Sequence, residues 1–132
     1  MPSRRALLLS IAALPVFLGP GLAAEFAPFT PEAFGAAQAA GKPILVDISA
    51  EWCPTCKAQA PIIKDVTSRD AFKAMIVFEV DFDTQTDVVR SLGANMQSTL
   101  IVFKGKDEVA RSVGETDPAA IEAQLAKAVA GT

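Results

Sequence analysis

The amino-acid sequence predicts an α/β fold in which helices cover both faces of one central mixed sheet. Hydrophobic periodicity changes back and forth between helix and strand along residues 25–132, with no internal repeat or low-complexity tract. Hydrophobic residues make up 51% of the 132 residues, which is enough apolar material for one buried core. We therefore expect a single domain with a four- to five-stranded sheet and right-handed crossovers between its parallel strands.

The first helix and the first buried strand are predicted from helix-end signals and residue type. A Thr-Pro pair opens the helix and Gly41 ends it, so residues 31–40 are expected to be helical. Residues 44–48 are apolar and rich in β-branched side chains, interrupted only by Asp47, which predicts a central strand. A further edge strand is expected near Phe26.

Two helices and a second strand are expected in the middle of the chain. The helix after the central strand is expected to begin at the cysteines, since Pro54 suits a first turn. It is predicted to reach about residue 64, with Pro61 bending it. A short helix over residues 69–75 then leads into a strand over residues 76–81.

The last part of the chain predicts a hairpin followed by an amphipathic helix. A helix over residues 86–92 ends at Gly93, and the spacing of strands 99–103 and 108–113 suits an antiparallel hairpin. An Asp-Pro pair at residues 117–118 caps the closing helix. Its buried stripe is expected to consist of Ile121, Leu125 and Val129.

The first 24 residues are typical of a secretory signal peptide. Arg4 and Arg5 precede an apolar run, which is followed by Gly-Pro-Gly and small residues, and cleavage fits after Ala23 or Ala24. The arginine pair also resembles a twin-arginine signal, and an uncleaved membrane anchor is the alternative, which Pro15 disfavours. The body is expected outside the cytosol, in the periplasm of a bacterium or anchored to its membrane.

Composition excludes several classes of function. The formal net charge is −3 and the body has no basic cluster, so we expect no nucleic-acid partner. The chain has no histidine, which removes the commonest general base and the commonest transition-metal ligand. Chemistry is therefore expected to depend on thiols, carboxylates or backbone groups.

The two cysteines lie in the stretch AEWCPTCKAQAP at the predicted junction of strand and helix. A disulfide between Cys53 and Cys56 would close a very short loop and would restrain the unfolded chain little. A zinc site needs four ligands, so it would have to be shared between two chains. At a helix N-terminus the pKa of Cys53 should fall below that of a free cysteine, and Cys56 is expected to be less exposed. This arrangement predicts thiol–disulfide exchange, with the structural bridge as the alternative.

Residues 45–61, LVDISAEWCPTCKAQAP, resemble the thioredoxin family, and residues 98–118 are similar to its closing hairpin and last helix. The resemblance implies a thioredoxin-like fold and disulfide exchange on protein substrates, with no cofactor and no metal. It also implies that Cys53 attacks the partner, that Cys56 resolves the mixed disulfide, and that Asp47 helps to move the proton of Cys56. The residues expected to contact the substrate are Trp52, Pro54, Thr55, Ser98 and Thr99.

Three departures from the family pattern matter. Pro54-Thr55 replaces Gly-Pro and the histidine of the strongly oxidising relatives is absent, so we expect a less oxidising redox couple.

Ser98 replaces a cis-proline; a cis bond there would cost about 3 kcal/mol, so the loop is either strained or differently shaped. Its hydroxyl could bind a thiolate, or a less shielded dithiol could bind a metal or a shared cluster. Glu79 replaces a lysine, and it either perturbs Asp47 or points to solvent.

The sequence therefore predicts an exported thiol–disulfide oxidoreductase that reduces or exchanges disulfides of other exported proteins. Its expected partners are those proteins and a membrane electron donor that recharges it, and we expect a monomer. The alternative is a thioredoxin-like binding or chaperone module whose disulfide stays closed. This module would recognise extended chain segments near residues 95–99.

Overall fold

The computed structural model describes residues 23–131, so the predicted signal segment, residues 1–24, lies almost wholly outside the described residues. The strands are β1 (Glu25–Pro28), β2 (Pro43–Ser49), β3 (Ile76–Asp81), β4 (Thr99–Lys104) and β5 (Asp107–Val113). The α-helices are α1 (Pro31–Ala39), α2 (Pro54–Thr67), α3 (Thr86–Ser91) and α4 (Pro118–Val129). None of the helices within residues 23–131 is both long and apolar enough to cross a bilayer.

The five strands form one mixed sheet in the order β1-β3-β2-β4-β5. β1 and β2 both pair with β3 in parallel, whereas β4 runs antiparallel to β2 and to β5. The predicted edge strand near Phe26 is β1. The predicted mixed sheet with helices on both faces is therefore confirmed, and its central strand is β2.

The predicted helix over residues 69–75 is wrong in type and length. The segment holds only a three-residue 3₁₀ turn at Asp70–Phe72. α2 continues to Thr67, past its predicted end, and only residues 68–75 remain to connect it to β3. Phe72 and Met75 in this short connection are both buried in the core.

Alternate residues of β2 face two separate halves of the core. Leu45 packs with residues of α2 and α4, while Val46 and Ile48 pack on the other face of the sheet with residues of α1 and α3. By the same alternation Asp47 lies on the face that α2 covers. This is also the face toward which Glu79 projects, because Asp47 and Glu79 are aligned neighbours in β2 and β3.

The closing helix is anchored by a buried stripe and by one buried amide. Ile121 and Leu125 are fully buried as predicted, and Val129 packs against the same cluster. The Gln124 side chain donates to the carbonyl of Leu100 at 3.1 Å and accepts from the Ser112 hydroxyl at 2.9 Å. α4 is thereby fastened to both strands of the hairpin.

We expect Leu125→Ala to lower the free energy of unfolding by about 2–5 kcal/mol, because it opens a cavity in a fully buried cluster. Lys127→Ala is the matched control on the exposed side of the same helix, and it should change stability by no more than about 0.5 kcal/mol. Urea denaturation measures both values. Equal losses in the two variants would contradict the assigned packing of α4.

Candidate active site

The junction of β2 and α2 fixes the position of both sulfurs. β2 ends at Ser49, and α2 begins at Pro54 with Cys53 as its N-cap residue. The Cys53 sulfur accepts a hydrogen bond from the backbone N–H of Cys56 at 3.1 Å. A proline in the first helical turn loses no hydrogen bond, since its nitrogen would have no helical partner there. The sulfur of Cys53 therefore takes the place of a polar cap at the positive end of the helix.

Both cysteines are free and both are shielded from solvent. Cys53 is 2% exposed and Cys56 is 7% exposed, so both residues are buried and neither stands out as the exposed one. Ala50 and Phe82 pack around the pair. The dithiol is therefore shielded, in contrast to the hypothesis of a less shielded dithiol that Ser98 suggested.

The surroundings push the pKa values of the two thiols apart. Burial acts to raise the pKa of Cys53, but the hydrogen bonds that Cys56, the Ser98 hydroxyl and the backbone of Thr55 can donate to its thiolate outweigh burial and lower that pKa. Burial raises the pKa of Cys56, and its hydrogen bond to Cys53 raises it further. Cys53 therefore ionises more readily than Cys56, which is the difference between attacking and resolving thiols that dithiol exchange needs.

Asp47 lies behind the dithiol, and its Oδ1 is buried without a hydrogen-bond partner. Burial, and second the charge of Glu79, raise the pKa of this carboxyl to about 6. Glu79 is itself exposed, so both alternatives for it hold: it reaches solvent, and it also perturbs Asp47. Asp47 and Cys56 both line a cavity of about 440 Å³. The residues that line it include Asp47, Glu51, Cys56, Lys57 and Glu79.

Ser98 reaches its place without a cis peptide bond. No bond between residues 23 and 131 is cis, and Ser98 instead takes a left-handed conformation with φ of 56°. It is the one non-glycine residue of this range with positive φ. Its carbonyl accepts from the backbone N–H of Gly114 at 2.9 Å and from the Gln59 side chain at 3.3 Å. The loop is therefore both strained and differently shaped.

The other predicted substrate contacts divide into exposed and buried residues. Trp52 is 56% exposed, and its indole N–H donates to Asp83 at 2.8 Å. Pro54 is exposed and Thr55 is partly buried, so these three residues form the rim around the sulfurs. Thr99 is buried and its hydroxyl donates to the carbonyl of Met96, which removes its side chain from any substrate.

Gln59 is the residue that the sequence reasoning missed. It is 1% exposed on α2, and its amide donates to the carbonyls of Ser98 and Glu115 at 3.3 and 2.9 Å. A signal was present, because Gln59 falls at helical spacing between buried Cys56 and buried Ile63. A polar residue in such a stripe indicates a buried hydrogen bond.

Within residues 23–131, no three side chains of the His, Cys, Asp or Glu type come together as metal ligands would. The groups available for chemistry are the dithiol and the buried carboxyl of Asp47 beside it. Such a site can attack a disulfide, resolve the mixed disulfide and accept a proton.

Comparison with known proteins gives one consistent family. The thioredoxin family model matches residues 25–127. A thioredoxin of Aspergillus fumigatus is 35% identical over 88 residues, which cover 67% of this chain and 79% of that protein. A thioredoxin of Mycobacterium tuberculosis is 35% identical over 88 residues, or 67% of this chain and 75% of its own.

A solved structure agrees with these matches. The protein named Trxlp from Edwardsiella tarda superposes with a TM-score of 0.75 at 40% sequence identity, covering 76% of this chain and 98% of that one. Because the family match spans most of the chain and includes the dithiol at the strand-to-helix junction, the chain belongs to the thioredoxin family and is a thiol–disulfide oxidoreductase.

Proposed function

We propose that this oxidoreductase works outside the cytosol, where it reduces or exchanges disulfide bonds of other exported proteins. The observation that carries the proposal is the opposed tuning of the two thiols, with the pKa of Cys53 lowered and that of Cys56 raised. A structural disulfide needs no such difference. An exchange enzyme needs one thiol that ionises easily and attacks, and a second thiol that stays protonated until the mixed disulfide has formed.

The reaction proceeds in two exchanges at the Cys53 sulfur. The Cys53 thiolate attacks one sulfur of the partner's disulfide, a mixed disulfide forms, and the partner's other sulfur leaves as a thiolate that takes up a proton. Cys56 then loses its proton, and its thiolate attacks Cys53. The mixed disulfide breaks and the second partner thiol is released. The partner gains two electrons and two protons, while Cys53 and Cys56 are left as a disulfide.

Asp47 is the acceptor for the Cys56 proton in this scheme. Its pKa of about 6 keeps most of it ionised at neutral pH, and its buried Oδ1 has no competing hydrogen bond. Both residues line the same cavity, so in this scheme the proton passes between them through that space. A carboxylate with this pKa combines basicity with availability better than an ordinary exposed aspartate does.

Substrate access is set by the rim of the site. Because Cys53 is only 2% exposed, it can be reached only by a disulfide that is itself accessible, so we expect unfolded or loop-borne disulfides as substrates. Trp52 and Pro54 offer apolar surface next to it, and Thr55 lies between them and Cys56. Ser98 faces the sulfurs from the opposite loop.

The direction of electron flow follows from what is missing near Cys53. No histidine exists in the chain to stabilise its thiolate, which favours a reducing or exchanging role over a strongly oxidising one. An exported reductase must be recharged, so a membrane electron donor is the implied partner. The family match begins at residue 25, directly after the predicted signal segment, which supports export of residues 25–132 as the working domain.

Replacing Cys56 with Ala should trap partner proteins as mixed disulfides on Cys53, because the resolving step is lost while the attacking thiolate remains. The trap is run in the compartment where the protein resides, and captured proteins are identified by mass spectrometry. Cys53→Ala, which keeps Cys56, is the matched control and should capture none. Equal capture by both variants, or none by Cys56→Ala in cells rich in the protein, would favour the binding module over the enzyme.

Asp47→Asn should slow release of the mixed disulfide on the order of a hundredfold at neutral pH, the usual worth of a general base. The difference should shrink as pH falls through about 6, where Asp47 of the natural chain becomes protonated as well. Stopped-flow fluorescence of Trp52 follows the step. An asparagine variant that resolves as fast as the natural chain at neutral pH contradicts the assigned role.

The same variant should be more stable. A carboxyl whose pKa rises from 3.8 to about 6 on folding contributes stability below the lower value and loses it as pH rises through the upper one. The free energy of unfolding of Asp47→Asn should therefore exceed that of the natural chain by as much as about 3 kcal/mol above pH 6 and by little below pH 3.8. Glu79→Gln is the control, because it removes only the second cause of the raised Asp47 pKa. It should lower the pH midpoint of mixed-disulfide release and the pH midpoint of the stability loss.

Export is tested by fusing residues 1–24 to a reporter that is active only outside the cytosol. We expect activity, and we expect the N-terminus of the exported full chain to be Ala24 or Glu25 by mass spectrometry. Replacing Arg4 and Arg5 with lysine keeps the charge, so it blocks a twin-arginine route and leaves an ordinary signal working. A reporter that remains inactive contradicts export itself.

A further inference from the structure

Ser98 offers the dithiol two hydrogen-bond donors, a backbone N–H and a hydroxyl. The residue is 5% exposed and lies against both cysteines. Its hydroxyl is placed to donate to the Cys53 sulfur once that sulfur ionises, and its backbone N–H is placed to donate to Cys56. A proline at this position would have neither donor. The substitution therefore changes the chemistry that faces the sulfurs.

The Ser98 hydroxyl has a second acceptor. In this structure it donates to the carbonyl of Gln97 at 2.7 Å. A serine hydroxyl carries one hydrogen, so it serves either that carbonyl or the Cys53 sulfur at any moment. An ionised sulfur is the stronger acceptor, because hydrogen bonds to charged groups are roughly twice as strong as neutral ones. The hydroxyl is thus expected to turn to Cys53 when that thiol ionises.

The backbone conformation of Ser98 requires support from outside the loop. A residue with a Cβ is strained in the left-handed conformation, and it persists there where its surroundings hold it. Two donors hold the Ser98 carbonyl: the backbone N–H of Gly114 and the side chain of Gln59. Gln59 is one helical turn from Cys56, so the helix that carries the sulfurs also carries the residue that fixes the loop.

Gln59 is costly where it stands. Its Oε1 is buried without a partner, and an unsatisfied buried acceptor costs about 1–3 kcal/mol. An apolar residue at this position would fill the same space in the buried stripe of α2 without that cost. The contacts that its amide makes to Ser98 and Glu115 are what an apolar residue could not supply.

We propose that Ser98 stabilises the Cys53 thiolate through its hydroxyl and Cys56 through its backbone N–H, and that Gln59 is the positioning residue that holds Ser98 against both. The inference rests on the proposed exchange function, since the ionised Cys53 is the attacking species there. It assigns to this loop a share of the thiolate stabilisation that a histidine would otherwise provide. Because the Ser98 hydroxyl stabilises the reduced dithiol, it raises the reduction potential of the Cys53–Cys56 couple and makes the couple more oxidising.

Ser98→Ala tests the hydroxyl alone, because alanine keeps the Cβ, the backbone N–H and the cost of the left-handed conformation. Thiolate absorbance followed against pH should show a raised Cys53 pKa. Alkylation of Cys53 by iodoacetamide, below the pKa of the natural chain, should slow about tenfold, the low end of one hydrogen bond to a charge. The reduction potential should become more negative.

Two further variants separate the hydroxyl from general disturbance of the fold. Ser98→Gly also lacks the hydroxyl but suits a positive φ, so it should show the same slowing with better stability than Ser98→Ala. Ser91→Ala removes an exposed hydroxyl that donates to a carbonyl within α3, and it should leave Cys53 unchanged. A Cys53 titration and alkylation rate within twofold of the natural chain in both Ser98 variants overturns the proposal.

Gln59→Leu tests the positioning residue, since it keeps the burial and removes both hydrogen bonds to the loop. It should raise the Cys53 pKa in the same direction as Ser98→Ala, and a titration identical to the natural chain contradicts its assigned role. Insulin reduction by the natural chain is measured in parallel. An active natural chain with unshifted variants rejects only this inference, whereas shifted variants of an inactive chain reject only the proposed function.

Discussion

The site depends on one hydrogen bond, from the backbone N–H of Cys56 to the sulfur of Cys53 at the N-terminus of α2. It makes the reactive sulfur the cap of its own helix, so the geometry of the helix start and the ionisation of the thiol cannot be separated. The bond exists because β2 is buried at the centre of the sheet and ends where α2 begins. Ala50 and Phe82 then close over the pair and exclude water. Low polarity strengthens each donor that reaches the sulfur.

Unfavourable features are concentrated around this bond. Within residues 23–131, two buried side-chain oxygens lack a hydrogen-bond partner. They belong to Asp47 and Gln59, which lie next to the dithiol and its facing loop. The residue with a left-handed backbone other than glycine, Ser98, lies there as well. Elsewhere in the described chain the core is an ordinary apolar one on both faces of the sheet. Such a distribution fits a protein whose stability comes from its sheet and helices and is partly given up at the site.

The fold was largely predictable because its signals are local. Helix caps with proline in the first turn, Gly41 and Gly93 at helix ends, and the two-residue turn between β4 and β5 each act within a few residues. The predicted helix before β3 failed for the opposite reason. Its shape was decided by the distance left between the end of α2 and the sheet, and no local signal reports that distance.

By itself the sequence determined the fold class, the cysteine pair, its position at a helix start and the presence of a carboxyl in the central strand. Tertiary structure alone decided what surrounds them. The alignment of Asp47 with Glu79 depends on the register of two parallel strands, and the contact between Gln59 and Ser98 joins residues 39 positions apart. Tertiary structure also decided that the peptide bond before Ser98 is trans and that the backbone of Ser98 adopts the left-handed conformation. Capping and periodicity report on neighbours along the chain, whereas the pKa values of the thiols are set by groups that only folding brings together.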